Sequence, residues 1–155
     1  MRKKRMEITK LITEPLPDGR KSRLYQDYIR EINGYCITVP KGFITDGASV
    51  PRIFWTLFPP QGKYTPAAII HDFLYSECND TGINRTLADR IFLHIMKELG
   101  VSFLKRTAMY RAVRNFGESS WKPKIKNEGY KDVAIIDHTE EALKYYKSWY
   151  EILKL

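Results

Sequence analysis

The 155 residues include 26 Lys/Arg against 18 Asp/Glu, a net charge of +8, with 43% hydrophobic and 13% aromatic side chains. That length fits one domain that buries roughly two thirds of its unfolded surface without disulfides or metal, and the aromatic content excludes a disordered chain. Nine Gly and eight Pro exclude collagen-like and linker sequences, no apolar run approaches the ~20 residues of a membrane span, and Met1-Arg-Lys-Lys-Arg-Met6 leads into the polar Glu7-Ile-Thr-Lys10 rather than the apolar stretch of a signal peptide. The expectation is a protein made in the cytoplasm, with Cys36 and Cys78 reduced.

In chain order, residues 1–45 read as β-rich. Glu7–Thr13 alternates weakly and Pro15-Leu-Pro-Asp-Gly19 is a turn. Leu24–Ile32 and Tyr35–Val39 flank Asn33-Gly34, a pair that accepts positive φ at both positions and so predicts a two-residue hairpin turn. Pro40-Lys-Gly42 is a second turn, with Phe43–Thr45 extended after it. Asp46-Gly-Ala-Ser-Val-Pro51 is loop, and Arg52–Phe58, carrying Trp55, is a short helix ended by Pro59-Pro60. Thr65 as N-cap with Pro66 behind it predicts a helix to Cys78. A second helix over 84–99 stops at Gly100, with Leu87, Ile91, His94, Ile95 and Leu99 on one face. A third over 102–116 stops at Gly117, with Lys105, Arg106, Arg111 and Arg114 opposite Leu104, Ala108, Ala112 and Phe116. Asp132–Ile136 reads as a strand, and 137–155 holds an amphipathic helix with Tyr145, Tyr146, Trp149 and Tyr150, a core stripe or a docking face. The class is α+β: a small N-terminal antiparallel sheet packed beside three or four helices, with the helical core over 65–117, in one domain over 1–155.

The charge is unevenly placed. Residues 1–30 hold nine Lys/Arg and four Asp/Glu and residues 81–125 nine and three, whereas residues 31–80 hold three and five. The basic segments suit a solvated surface, an anionic membrane or nucleic acid, and nucleic acid is the least favoured because it needs Arg106, Arg111, Arg114 and the N-terminal basic residues on one face.

Polar residues inside apolar helices carry the chemistry. His71 and Tyr75 are four apart, hence on one face, while Asp72 is rotated by about 100°. Asp89 sits among apolar neighbours in the next helix, and helices joined by a short loop pack antiparallel, so Asp89 reaches His71. A carboxylate on one imidazole nitrogen leaves the other as a base, or else completes a satisfied core network. Asp72 is then free for a hard cation, with Asp46 and carbonyls around Gly47 as further oxygens, a set that suits calcium. The three His and two Cys lack zinc-ligand spacing, and Ser49 lacks the Gly-x-Ser-x-Gly elbow of a nucleophile.

Two resemblances follow from these motifs. Val39-Pro-Lys-Gly-Phe-Ile-Thr-Asp-Gly-Ala-Ser-Val-Pro51, Trp55 ahead of a proline, Ala67-Ala-Ile-Ile-His-Asp-Phe-Leu-Tyr75, Ala88-Asp89, Met109-Tyr110-x-Ala112-Val113 and Phe116-Gly117 resemble, over about residues 35–121, a family of small uncharacterised proteins of tailed phages and prophages. The helix pair is also similar to the active site of phospholipase A(2), above all its bacterial and fungal branch, in His71-Asp72-Phe73-Leu74-Tyr75 and Ala88-Asp89-Arg90-Ile91-Phe92. That likeness implies a phospholipase-like helical core and a calcium-dependent acyl-ester hydrolase: His71 activates water, Asp89 orients His71 with Tyr75 beside it, and Asp72, Asp46 and the Gly47 region hold calcium. Departures are Ala68 where the family has a disulfide cysteine and Leu74 where it has Gly. The phage likeness implies the alternative of a non-catalytic virion component in tail, baseplate or connector, so the expected partners are virion proteins or a phospholipid membrane.

Overall fold

The computed structural model describes residues 7–32, 35–45 and 62–122. The readings for Asn33-Gly34, the 46–51 loop, the 52–58 helix and everything after Lys122 lie outside them. The described chain is α+β, with two small antiparallel sheets followed by three helices.

β1 (Thr13–Pro15), β2 (Ser22–Leu24) and β5 (Ile44–Thr45) form one sheet in the order β1-β2-β5; β3 (Tyr28–Ile32) and β4 (Tyr35–Val39) form the other. The β1–β2 turn is closed by Leu16 N–H donating to the Lys21 carbonyl, and Asp18 Oδ1 accepts the N–H groups of Arg20 and Lys21. The continuous strand expected over 24–32 is instead broken at Tyr25–Asp27, because Asp27 is tied to residues distant in the chain. Its carboxylate accepts from Lys41 N–H and its carbonyl from Thr9 Oγ1, which turns the chain from one sheet into the other. In β3 and β4 residues alternate in and out with a period of two: Tyr28, Arg30, Ile32, Ile37 and Val39 are buried. Ile32 stands opposite Tyr35.

α1 (Thr65–Tyr75) carries Pro66 in its first turn, but its N-cap is Tyr64; Thr65 Oγ1 accepts from Gly62 N–H instead of capping. It ends at Tyr75, three residues before Cys78, where Ser76 goes extended. Asn79, buried in the loop that follows, donates to the Leu74 and Ile83 carbonyls and accepts from Thr81, so one side chain shapes the reversal into the next helix. α2 (Arg85–Glu98) is capped by Asn84, whose side chain accepts from Leu87 N–H, and is followed by Gly100 at φ +74°, a left-handed position that glycine takes without a Cβ penalty.

α3 (Phe103–Phe116) buries Met109, Ala112 and Val113, whereas Leu104, Ala108 and Phe116, expected on the apolar face, are exposed. A short 3-10 turn, Glu118–Ser120, leads to Trp121. From Ile69 to Tyr75 every residue of α1 is buried, as a helix placed between other layers must be. It packs on α2, β4 and β5, and its side chains join Leu24, Tyr28, Ile37 and Val39 of the sheets in one apolar cluster with Leu87, Ile91, Phe92 and Ile95 of α2. Among the described residues no helix is long and apolar enough to cross a membrane, and Cys36 and Cys78 are both free and exposed.

Candidate functional site

The antiparallel packing of α1 and α2 brings His71, Tyr75 and Asp89 together. His71 Nε2–H donates to Asp89 Oδ1 at 2.6 Å, and the Tyr75 hydroxyl donates to the same oxygen at 2.6 Å. An ionised carboxylate only accepts, so the proton of this pair lies on Nε2 and the free lone pair of a neutral ring lies on Nδ1. Among the described residues Nδ1 is buried and has no hydrogen-bond partner. The ring is held by Tyr75 and Phe92, with centroids 4.2 Å and 4.6 Å away, and is 0% exposed.

The other carboxylate oxygen is taken by Arg114, which the sequence reading placed on the basic face of the third helix. Arg114 Nη1 donates to Asp89 Oδ2 at 2.7 Å, and Arg85 Nη1 lies 3.9 Å from it. Arg85 also donates to the carbonyls of Val113 and Arg114, the last turn of α3, where a cation meets the negative end of the helix dipole. Arg85 at i, i+4 to Asp89 was a readable signal; Arg114, 25 residues on, looked like one more surface cation. The basic face expected on α3 is therefore divided: Arg114 turns inward to Asp89 and Arg106 donates to the Val101 carbonyl.

Burial pushes the Asp89 carboxyl up, but bonds from His71, Tyr75 and Arg114 outweigh it and hold the group below its ordinary value. Tyr75 is driven the other way, first by burial and then by the Asp89 charge, and stays a neutral donor. The site also forces glycine at 117: a Cβ there would stand 2.4 Å from the Val113 carbonyl oxygen and 3.0 Å from the Tyr75 hydroxyl. Its φ is −82°, so the demand is for space rather than for backbone freedom. Trp121 packs edge-on against Tyr75 and Lys122 N–H donates to the Tyr75 carbonyl.

Asp72 points away from His71. It accepts from the Thr45 hydroxyl of β5 and stands at the wall of a cavity of about 500 Å³. Phe43, Ile44, Thr45 and Tyr75 also line it, with Cys78 and Lys122. The volume is that of a small-molecule pocket, about 300–1,000 Å³. Asp46 and Gly47 lie outside the described residues. Among the described residues no group of three or more His, Cys, Asp or Glu stands close enough to hold a metal ion, so these residues alone do not form a calcium site.

Comparison with known proteins adds kinship but no activity. The chain is 35% identical over 99 residues to an uncharacterized protein, y4jT, of Sinorhizobium fredii (strain NBRC 101917 / NGR234). The match covers 62% of this chain but 29% of that protein, so the chain spans under a third of the length of its relative. No solved structure matches. Residues 23–113, which hold β3, β4, β5, His71, Asp72, Tyr75, Asp89 and most of α3, match a family model described as protein of unknown function (DUF1353), and the chain belongs to that family.

Proposed function

We propose that the chain is an acyl-ester hydrolase in which His71 activates water. The observation that carries this reading is the state of the imidazole: Nε2 is fixed on Asp89 while Nδ1 has no partner among the described residues. A base held in one tautomer by a buried carboxylate, with its second nitrogen unspent, is the arrangement general-base hydrolysis requires. Tyr75 supports it by sharing the Asp89 oxygen, and the same residue lines the cavity beside α1 that would take a substrate. The likeness of the helix pair to phospholipase A(2) points the same way and suggests phospholipid as the ester. In this reading Asp72, with Asp46 and the Gly47 region, would hold a calcium ion, which would supply polarisation of the ester carbonyl.

The full enclosure of His71 and the burial of Leu74 favour a second reading. There the same network locks three helices in a non-catalytic phage virion component. Acyl release from phospholipid vesicles, with and without calcium, separates the two. Calcium-dependent release by the wild type, lost by a factor of about 100 or more in His71→Ala, is expected if the ring is the base. No release from either protein, with the variant still folded, would leave the virion reading.

A further inference from the structure

We infer that Arg114 is a positioning residue of this site: its guanidinium fixes Oδ2 of Asp89, so that Oδ1 is presented to His71 and the ring keeps its Nδ1 lone pair. The inference rests on the hydrolase reading for its kinetic consequence but not for its geometry.

Four observations carry it. The Arg114–Asp89 contact, at 2.7 Å, is a short charge-assisted bond to a carboxylate that is 0% exposed. Oδ1 already serves two donors, His71 and Tyr75, so Oδ2 is the oxygen left by which the carboxylate plane can be set. Arg85 is placed less closely: its Nη1 stands 3.9 Å from Oδ2 and also donates to the Val113 and Arg114 carbonyls. The end of α3 is also docked for this purpose. Arg85 donates to the Val113 and Arg114 carbonyls in its last turn, and Gly117, without a Cβ, leaves room for the Tyr75 hydroxyl at the end of the helix. Together they put residue 114 of one helix opposite residue 89 of another.

A carboxylate without its second anchor rotates about its side-chain bond, and the ring that depends on it loses a unique tautomer and angle. Asp89 would also lose a cation that favours its charged form.

The test compares the wild type with Arg114→Gln and Arg114→Lys on the full chain. Nitrogen-15 NMR reads the His71 tautomer, and the pH dependence of acyl release is measured where release occurs. The wild type should show the proton on Nε2, and R114Q a mixture of the two tautomers. In R114Q kcat should fall about 10- to 100-fold, with KM unchanged and the acid limb of the profile moved to higher pH; R114K should recover part of both. A wild-type tautomer in R114Q, or a wild-type acid limb where release is measured, overturns the proposal and leaves the hydrolase reading standing. If the wild type releases nothing, the hydrolase reading fails, and the tautomer spectrum alone decides. If R114Q does not fold, R114K is read in its place: a smaller displacement of the same signals is expected, and a wild-type spectrum overturns the proposal.

Discussion

α2 carries two carboxylates nine residues apart, about 13 Å along the axis, and each is paired with one histidine and with arginine. Asp89 accepts from His71 of α1 and Arg114 of α3. Glu98 accepts from His94, one turn back on its own helix, at 2.9 Å, and from Arg30 of β3 at 3.2 Å. The ingredients match and the assemblies differ. The Glu98 group ties a sheet to a helix by a buried ion pair, with Arg30 3% exposed, and its histidine is partly open to solvent, with a quarter of the side chain accessible. The Asp89 group unites three helices and encloses its histidine. A His–carboxylate pair is thus not by itself a site; what distinguishes the Asp89 pair is an enclosed ring whose far nitrogen has no partner among the described residues.

The sharpest way to break this comparison is to remove each carboxylate in turn. Losing one partner of a buried ionic network costs about 3–5 kcal/mol. Asp89→Asn should fall at the upper end, since it disturbs His71, Tyr75 and Arg114 together, and Glu98→Gln at the lower end. Urea unfolding at neutral pH measures both. Equal costs would mean that the three-helix assembly adds nothing over an ordinary ion pair.

Acid sharpens the same contrast. Asp89 and Glu98 are each pushed up by burial and pulled further down by their donors, to a net lowering. A carboxyl held below its unfolded value stabilises the fold above that value and loses the contribution as pH falls through the folded one. The gap between wild type and D89N should therefore be full above about pH 4, the unfolded value of aspartate, and close as the pH drops further. A gap independent of pH would show that shape, not charge, holds the site.

Tyr75→Phe should cost less, about 1.5–3 kcal/mol for a hydrogen bond to a charged group, because Asp89 keeps its other donors. The phenol is held above its ordinary value, so its contribution is complete below about pH 10 and is lost as pH rises further; Y75F should lack that alkaline loss. Denaturant titrations across the alkaline range read both effects.

How far each group was legible follows from what sets its geometry. His71, Tyr75 and Asp89 could be placed together because helical spacing and a short loop fix their relation. The stops at Gly100 and Gly117 and the alternation of β3 and β4 are equally local. Arg114 was not legible, because its place depends on how far α3 slides along α2, which Arg85 and Gly117 set through contacts across the fold. The break at Tyr25–Asp27 was hidden in the same way, since it depends on Thr9 and Lys41, 18 and 14 residues away. The exposed Leu104 and Phe116 show the converse error: an apolar helix position is buried only where a neighbouring element meets it.

His94→Gln carries the smallest expected effect and tests the comparison from its weaker side. His94 and Glu98 are an i, i+4 pair on a partly solvated helix face, and such pairs contribute about 0.2–0.5 kcal/mol. Glutamine can still donate to Glu98 Oε1, and Arg30 holds Oε2. Urea unfolding should therefore shift by about 0.5 kcal/mol or less, and the His71 tautomer should be unchanged by nitrogen-15 NMR. A larger loss would mean that the Glu98 group, like that of Asp89, depends on its imidazole. The enclosure of His71 would then no longer be what separates the two ends of α2.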